Sequence, residues 1–287
     1  MFYIPILGSL LEASGTIIEK KVIKKKNINY KNYIVYGFLT IVCTSIPFLF
    51  FFWKLSPEAL ELKNILIFSS IIIASLIANL LIFYSLKRKS LSEFEPIRLT
   101  QPLFTILLAF MLSFFIPAYA DERNPAIILL ALIASITLII AHINKHHIKF
   151  DKYIIAALIG SFFFALELVL SKTILPYYSS WSFYFLRCLF ILIISAAIFR
   201  PNLKTIDKQT HYFTWTTSLI WITYRVILYW SYESLGIVFT TITLSILTSI
   251  FIFVLAKIFL KEKPTMRQVI SAAIIILCVI IAVIIQK

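Results

Sequence analysis

The sequence predicts an all-α integral membrane protein with ten transmembrane helices in two inverted five-helix repeats. Three observations predict it. Ten apolar stretches, almost free of charge, fill the 287 residues nearly end to end. The composition is 61% hydrophobic with a mean hydropathy of +0.95, which leaves too little polar surface to coat a water-soluble globule. The two halves also share residues at constant offsets. The hydrocarbon layer is ~30 Å thick, so a helix needs ~20 apolar residues to cross it. Residues 33–53, 64–86, 124–144 and 234–256 each run that far without an Asp, Glu, Lys or Arg. Lipid offers a bare backbone no hydrogen-bond partner, so such runs form helices or closed barrels. Barrel strands alternate polar and apolar residues, and these runs do not.

In order, the expected spans are 2–19, 33–53, 64–86, 92–116, 125–143, 153–175, 180–199, 212–232, 236–260 and 267–286. The first runs into Lys20 and Lys21, and the second meets Lys54. The third stops at Lys87-Arg88-Lys89. The fifth ends in a polar link, residues 145–152, and the seventh at Arg200. The sixth to tenth repeat the scheme. The N-terminal stretch lacks a basic leader and a small-residue cleavage site, so it reads as a retained span. Short links make successive helices antiparallel neighbours. The domains are then 1–144, a first five-helix repeat, and 153–287, a second, joined by the linker 145–152.

The repeat is carried by particular residues. Gly8-Ser9, Ala13 and Lys20 match Gly160-Ser161, Ala165 and Lys172 at an offset of 152, and Tyr84-Ser85-Leu86 matches Trp230-Ser231-Tyr232 at 146. Five helices is an odd number, so the second copy enters from the opposite side. Transporters build two alternating access states around one midplane site in this way.

The formal charge of +14 points to topology, because the basic residues sit between apolar spans. Links 1–2, 3–4, 5–6, 7–8 and 9–10 hold eighteen of the 27 Lys and Arg, against five on the other side. The positive-inside rule places these odd-numbered links in the cytoplasm and both termini outside, in a cell (plasma or inner) membrane. The Lys20–Lys26 run is a membrane-flanking anchor, and no nucleic-acid partner is expected. Cys43, Cys188 and Cys278 lie inside spans without metal-ligand spacing. His146-His147 has no carboxylate or Cys company for a metal. No phosphate loop, dinucleotide fingerprint or nucleophile elbow occurs, so neither cofactor nor catalytic residue is expected.

Residues 83–104 read FYSLKRKSLSEFEPIRLTQPLF, and residues 259–282 read FLKEKPTMRQVISAAIIILCVIIA. Both resemble the repeated signature of the drug/metabolite transporter superfamily, EamA branch. In that family a helix ends in an Ala-Leu-Lys-Tyr-like element, the next helix carries Pro, and a Glu precedes the last helix of each half. Ser85-Leu86-Lys87, Pro102 and Glu262 occupy those places, with Glu122 in the first half where Glu262 stands in the second. Lys20 and Lys172 match the family's Lys near the end of the first helix of each repeat. The resemblance covers the chain in two passes and implies a secondary transporter, not an enzyme, of amino acids, drugs or other metabolites. Three departures stand out: only five glycines, Thr248 in place of the second-half Pro, and termini that the charge count puts outside, where many members have them inside.

A charge at the bilayer centre costs ~2.5–3.5 kcal/mol on insertion scales, so each needs a partner or a wet cavity. Glu167 lies about 12 Å from the end of span six, and Arg187 and Arg225 lie about 10 Å from the same membrane face. The three are expected in one cluster, either a structural ion pair or a substrate contact. Glu12 stands mid-span without a neighbouring cation. Low dielectric favours the protonated form of such a carboxylate, which makes Glu12 the proton-coupling candidate, against a role as a hydrogen-bonded helix contact. Glu95 and Arg98 share a helical face, extended by Gln101 and Thr105. Thr241, Ser245, Thr248 and Ser249 form a stripe on span nine. These stripes either wall one cavity or bond back to their own helices. Asn79 aligns with Arg225, and Tyr224 and Trp230 are candidates to stack on a ligand.

The expected function is secondary transport, as exporter or exchanger, of a small zwitterionic metabolite such as an amino acid. Glu12, Glu95 and Glu167 balance Arg98, Arg187 and Arg225. The alternatives are a cation or divalent-ion carrier and a lipid-handling protein. Lipid bilayer and a small-molecule substrate are the expected partners, with the chain a monomer or homodimer.

Overall fold

The computed structural model describes residues 3–23, 25, 28–88, 97–98, 100–142, 151–202, 206–260 and 266–286. All regular structure among them is helical, apart from one isolated bridge between Leu55 and Tyr178. The helices are α1 Tyr3–Ile23, α2 Tyr30–Phe52, α3 Leu62–Arg88, α4 Thr100–Ser113, α5 Pro125–His142, α6 Lys152–Ile174, α7 Ser180–Phe199 and α8 Lys208–Leu235. Ile237–Thr240, the π-helical Thr241–Ile246 and Leu247–Leu260 then follow without leaving helical backbone angles, and together make α9. The last helix is α10, Met266–Gln286. Among the described residues four helices, α2, α3, α7 and Lys152–Tyr177 (α6 with the turn after it), are long and apolar enough to cross a membrane by length and composition.

Local chemistry sets the ends. Asn29, Asp151, Ser179 and Asp207 cap α2, α6, α7 and α8 with side-chain oxygens that accept first-turn N–H groups. Each leaves an orphan donor satisfied where the chain enters a helix. Helix α4 ends at Ser113, short of the expected 116. After Ser113 the chain bends by 116° into a 3₁₀ turn, Pro117–Arg123, and Arg123 Nε donates to Ser113 O at 2.9 Å.

Several packing pairs recur when the two halves of the chain are exchanged. Helix α1 packs on α8 as α6 packs on α3, and α1 on α9 as α6 on α4. Helix α2 meets α8 as α7 meets α3, while the pairs α2–α7 and α5–α10 map onto themselves. The links obey the same exchange. At one end Ser56 N–H donates to Tyr177 O at 2.9 Å and Ser179 N–H to Lys54 O at 3.2 Å. At the other, Lys25 Nζ reaches Asp207 Oδ2 at 3.0 Å, Gln209 Oε1 at 2.9 Å and Thr210 Oγ1 at 3.1 Å. Hydrogen bonds from Thr210 and Lys25 hold the Asp207 carboxyl down to about 2, so this strap stays charged near neutrality.

Exposed aromatics crowd one end, with Phe50, Phe51, Phe52 and Trp53 closing α2 and Phe114 and Phe115 following α4. Interfacial belts of a membrane protein have this composition. Cys188 and Cys278 are buried thiols, whereas Cys43 is exposed.

Candidate functional site

Two turns of helix place the central charges. Glu167 lies seven residues before the end of α6 and Arg187 seven residues after the start of α7. The tight turn between those helices therefore brings the two side chains level, each about 10 Å in. Glu167 is fully buried and accepts from Arg187 Nη1, from Tyr229 Oη at 3.0 Å, and from Arg225 Nη1 at 3.5 Å. Arg187 Nη1 also donates to Ser75 Oγ at 3.2 Å. Both guanidiniums sit over aromatic faces, Arg187 at 5.1 Å from the Tyr184 centroid and Arg225 at 5.7 Å from Tyr224. One carboxylate thus serves two arginines, and Arg225 lies between the Phe164 and Tyr224 rings.

Glu12 is not the isolated carboxylate that its sequence neighbours imply. Its Oε1 lies 3.8 Å from Arg98 Nη1, and its Oε2 accepts from Thr248 Oγ1 at 2.7 Å. The partners come from just before α4 and from α9, so only tertiary packing reveals them. This weakens the isolation argument for Glu12 as a proton carrier.

These groups border one cavity with about 1060 Å³ of space between atoms, its solvent-open part included. Glu12, Asn79, Arg98, Gln101, Arg187, Tyr224 and Arg225 are in its walls. Glu167 stands behind them and fixes both arginines. Glu95 lies outside the described residues, as do Glu262 and His146-His147. Trp230, Thr241 and Ser245 are not in the walls, and Thr248 contributes through its bond to Glu12. The expected stripe on α9 was spaced for an α-helix. A π-helical turn, Thr241–Ile246, runs through the expected stripe. Thr105 bonds back to Gln101 O at 3.0 Å, as isolated helix hydroxyls do.

The cavity has walls that the sequence reading missed: Thr16, Glu19, Lys20, Tyr33, Gly37, Phe164, Tyr184 and Trp221. A signal existed for some. Glu12, Thr16 and Glu19 recur at i, i+4 and i+7, a polar stripe on an otherwise apolar helix. All the α1, α2, α3 and α4 lining residues lie toward the end where α1 and α3 finish and α2 and α4 begin. The cavity therefore runs from the Glu12 level toward the basic, odd-numbered links.

The other end carries a different constellation, beside a second pocket lined by Glu122, Lys172 and Gly236. Glu122, 4% exposed, accepts from Lys172 Nζ and from the backbone N–H groups of Ile237 (2.6 Å) and Val238 (3.0 Å). A carboxylate here caps α9 and meets its positive end. Gly236 carries φ +86°, and a Cβ there would sit 3.1 Å from Glu122 Oε1. Lys172 Nζ lies 5.4 Å over the Tyr119 ring, whose hydroxyl donates to Val169 O. The turn before α5 is thereby tied to α6 and α9. Among the described residues no group of three His, Cys, Asp or Glu is placed to hold a metal.

Residues 151–284 match the EamA-like transporter family. The match covers a little under half of the 287 residues. No curated protein sequence matches the chain. A solved structure, described only as the crystal structure of a protein, superposes with a TM-score of 0.73 at 13% identity. It covers 99% of this chain and 96% of that one, and so shares the fold along the whole length.

Proposed function

With an EamA-like transporter domain over residues 151–284 as the premise, we propose that the chain carries a small zwitterion, such as an amino acid, by alternating access. The carrying observation is the shared Glu167. Because Arg187 already holds it, Arg225 presents unspent positive charge to the cavity, across from the Glu12 carboxylate. A substrate carboxylate docks on Arg225, and its ammonium on Glu12. Three arginines around the cavity weigh against a cation or divalent-ion carrier. The test is calorimetry of the purified protein with alanine, ethylamine and propionate. Each single-charge analogue should bind at least about tenfold more weakly than alanine. Equal binding of all three, or none, would sink the reading.

The recurring pairs of helices and links support two inverted five-helix repeats, 1–144 and 153–287, with the cavity between them. On the charge asymmetry the odd-numbered links are cytoplasmic, both termini are outside, and the cavity faces the cytoplasm in this state. A C-terminal reporter that is active only in the cytoplasm should stay dark, and a bright one would reverse the orientation.

A further inference from the structure

Two helical turns outward from Glu12, a second carboxylate borders the cavity. Glu19 follows Glu12 by seven residues on α1, so it stands on nearly the same face and about 10 Å nearer the open end. Its surroundings differ from those of the carboxylates deeper in. Glu12 and Glu167 each have an arginine nitrogen within 4.0 Å, whereas among the described residues no Lys or Arg nitrogen comes that close to Glu19. Its one hydrogen bond there is a long one, from Tyr33 Oη to Oε1 at 3.4 Å. Oε2 has no partner among the described residues and is not cut off from solvent. The wall beside it is aromatic: Tyr33 meets Phe83 edge-on at 5.8 Å between centroids, and Phe38 lies further along α2. Gly37, one turn deeper than Tyr33 on α2, leaves room between the two carboxylate levels, since a Cβ built there meets nothing within 4 Å. The cations in this part of the wall are Lys20, next to Glu19 in the chain, and Arg98, which serves Glu12.

We propose that Glu19 receives the distal ammonium of a basic amino acid, so that lysine and its close homologues are the preferred substrates. This rests on the zwitterion reading, in which Arg225 holds the carboxylate and Glu12 the α-ammonium. An extended lysine sets its two amines ~7 Å apart. An ammonium–carboxylate hydrogen bond adds ~2.8 Å at each end. Together these cover the rise of about 10 Å from Glu12 to Glu19. The methylenes between the amines pass the gap at Gly37 and the Phe38 ring. A carboxylate at membrane depth needs a partner, and the ligand's ammonium supplies one. Aromatic neighbours favour the same kind of ion.

The test is calorimetry near neutral pH with alanine, norleucine and lysine, on wild type and on Glu19→Gln. Norleucine keeps lysine's stem and lacks its second amine. Wild type should bind lysine at least about tenfold more tightly than norleucine, the worth of a hydrogen bond between charged groups. Glu19→Gln should erase that preference and leave alanine and norleucine within about twofold of wild type. If Glu19→Gln does not fold, Glu19→Leu takes its place. Wild type that binds alanine but holds lysine no more tightly than norleucine overturns the Glu19 site and leaves the zwitterion reading standing; this comparison needs no variant. A lysine preference that survives in the variant overturns the site as well, and so does an equal loss of all three amino acids. Failure of wild type to bind any of the three overturns the zwitterion reading itself, and the Glu19 site with it.

Discussion

Glu167→Ala should cost about 3–5 kcal/mol of stability, because it leaves two buried cations without their shared carboxylate. Arg187 is 2% exposed and its Nη1 would keep only Ser75, while Arg225 would lose its one carboxylate contact within 4.0 Å among the described residues. Arg187→Ala should cost less. There Glu167 keeps Arg225 and the Tyr229 hydroxyl, so no charge is stranded. The double variant Glu167→Ala/Arg187→Ala should regain part of the loss of Glu167→Ala, the non-additivity expected of groups in one network. Unfolding temperature and yield of monodisperse protein in detergent are the readouts. A Glu167→Ala protein as stable as wild type would show that the triad is not a buried ion network. An Arg187→Ala protein less stable than Glu167→Ala would reverse the assignment of the shared partner.

At the opposite end, Glu122→Ala should be at least as damaging. It strands Lys172, a loss in the range of about 3–5 kcal/mol for a buried pair, and removes the cap from two N–H groups of α9, worth about 0.5–2 kcal/mol. Glu122→Ala/Lys172→Met should recover the first part and not the second. Gly236→Ala should cost about 1–3 kcal/mol on its own, because its backbone conformation belongs almost only to glycine. The same unfolding measurements apply. Should Glu122→Ala leave the unfolding temperature unchanged, the contact is incidental to the fold.

Much of this was legible in the residues, for identifiable reasons. Uninterrupted apolar runs and the charges that end them gave the helices, because lipid leaves the backbone no alternative. The level of Glu167 with Arg187 followed from the short turn at Leu175–Tyr177, since a tight antiparallel pair keeps depth from the shared face. What failed was whatever depends on distant contacts or on a change of helical pitch. Glu12 finds Thr248 across 236 positions, and nothing near Glu12 in the chain announces it. Glu122 resembles a family position, but its work as the cap of α9 appears only when the turn before α5 meets Gly236. The α9 stripe assumes α-helical spacing, and the chain there takes a π-helical turn at Thr241–Ile246, a change of pitch that the residue types do not announce. Glycine misleads in its own way, because the opening at Gly37 is an absent side chain and leaves no chemical signal.

The account stands on positive charge at Arg225 meeting a zwitterion in a cavity that opens to one side at a time. The most direct measurement is counterflow of labelled alanine into vesicles preloaded with unlabelled alanine, comparing wild type with Arg225→Gln. The variant should fold, because Arg187 and Tyr229 still hold Glu167. Wild type should accumulate label saturably, and Arg225→Gln should lose at least about tenfold of that rate. Unchanged exchange by a folded Arg225→Gln protein would contradict the claim.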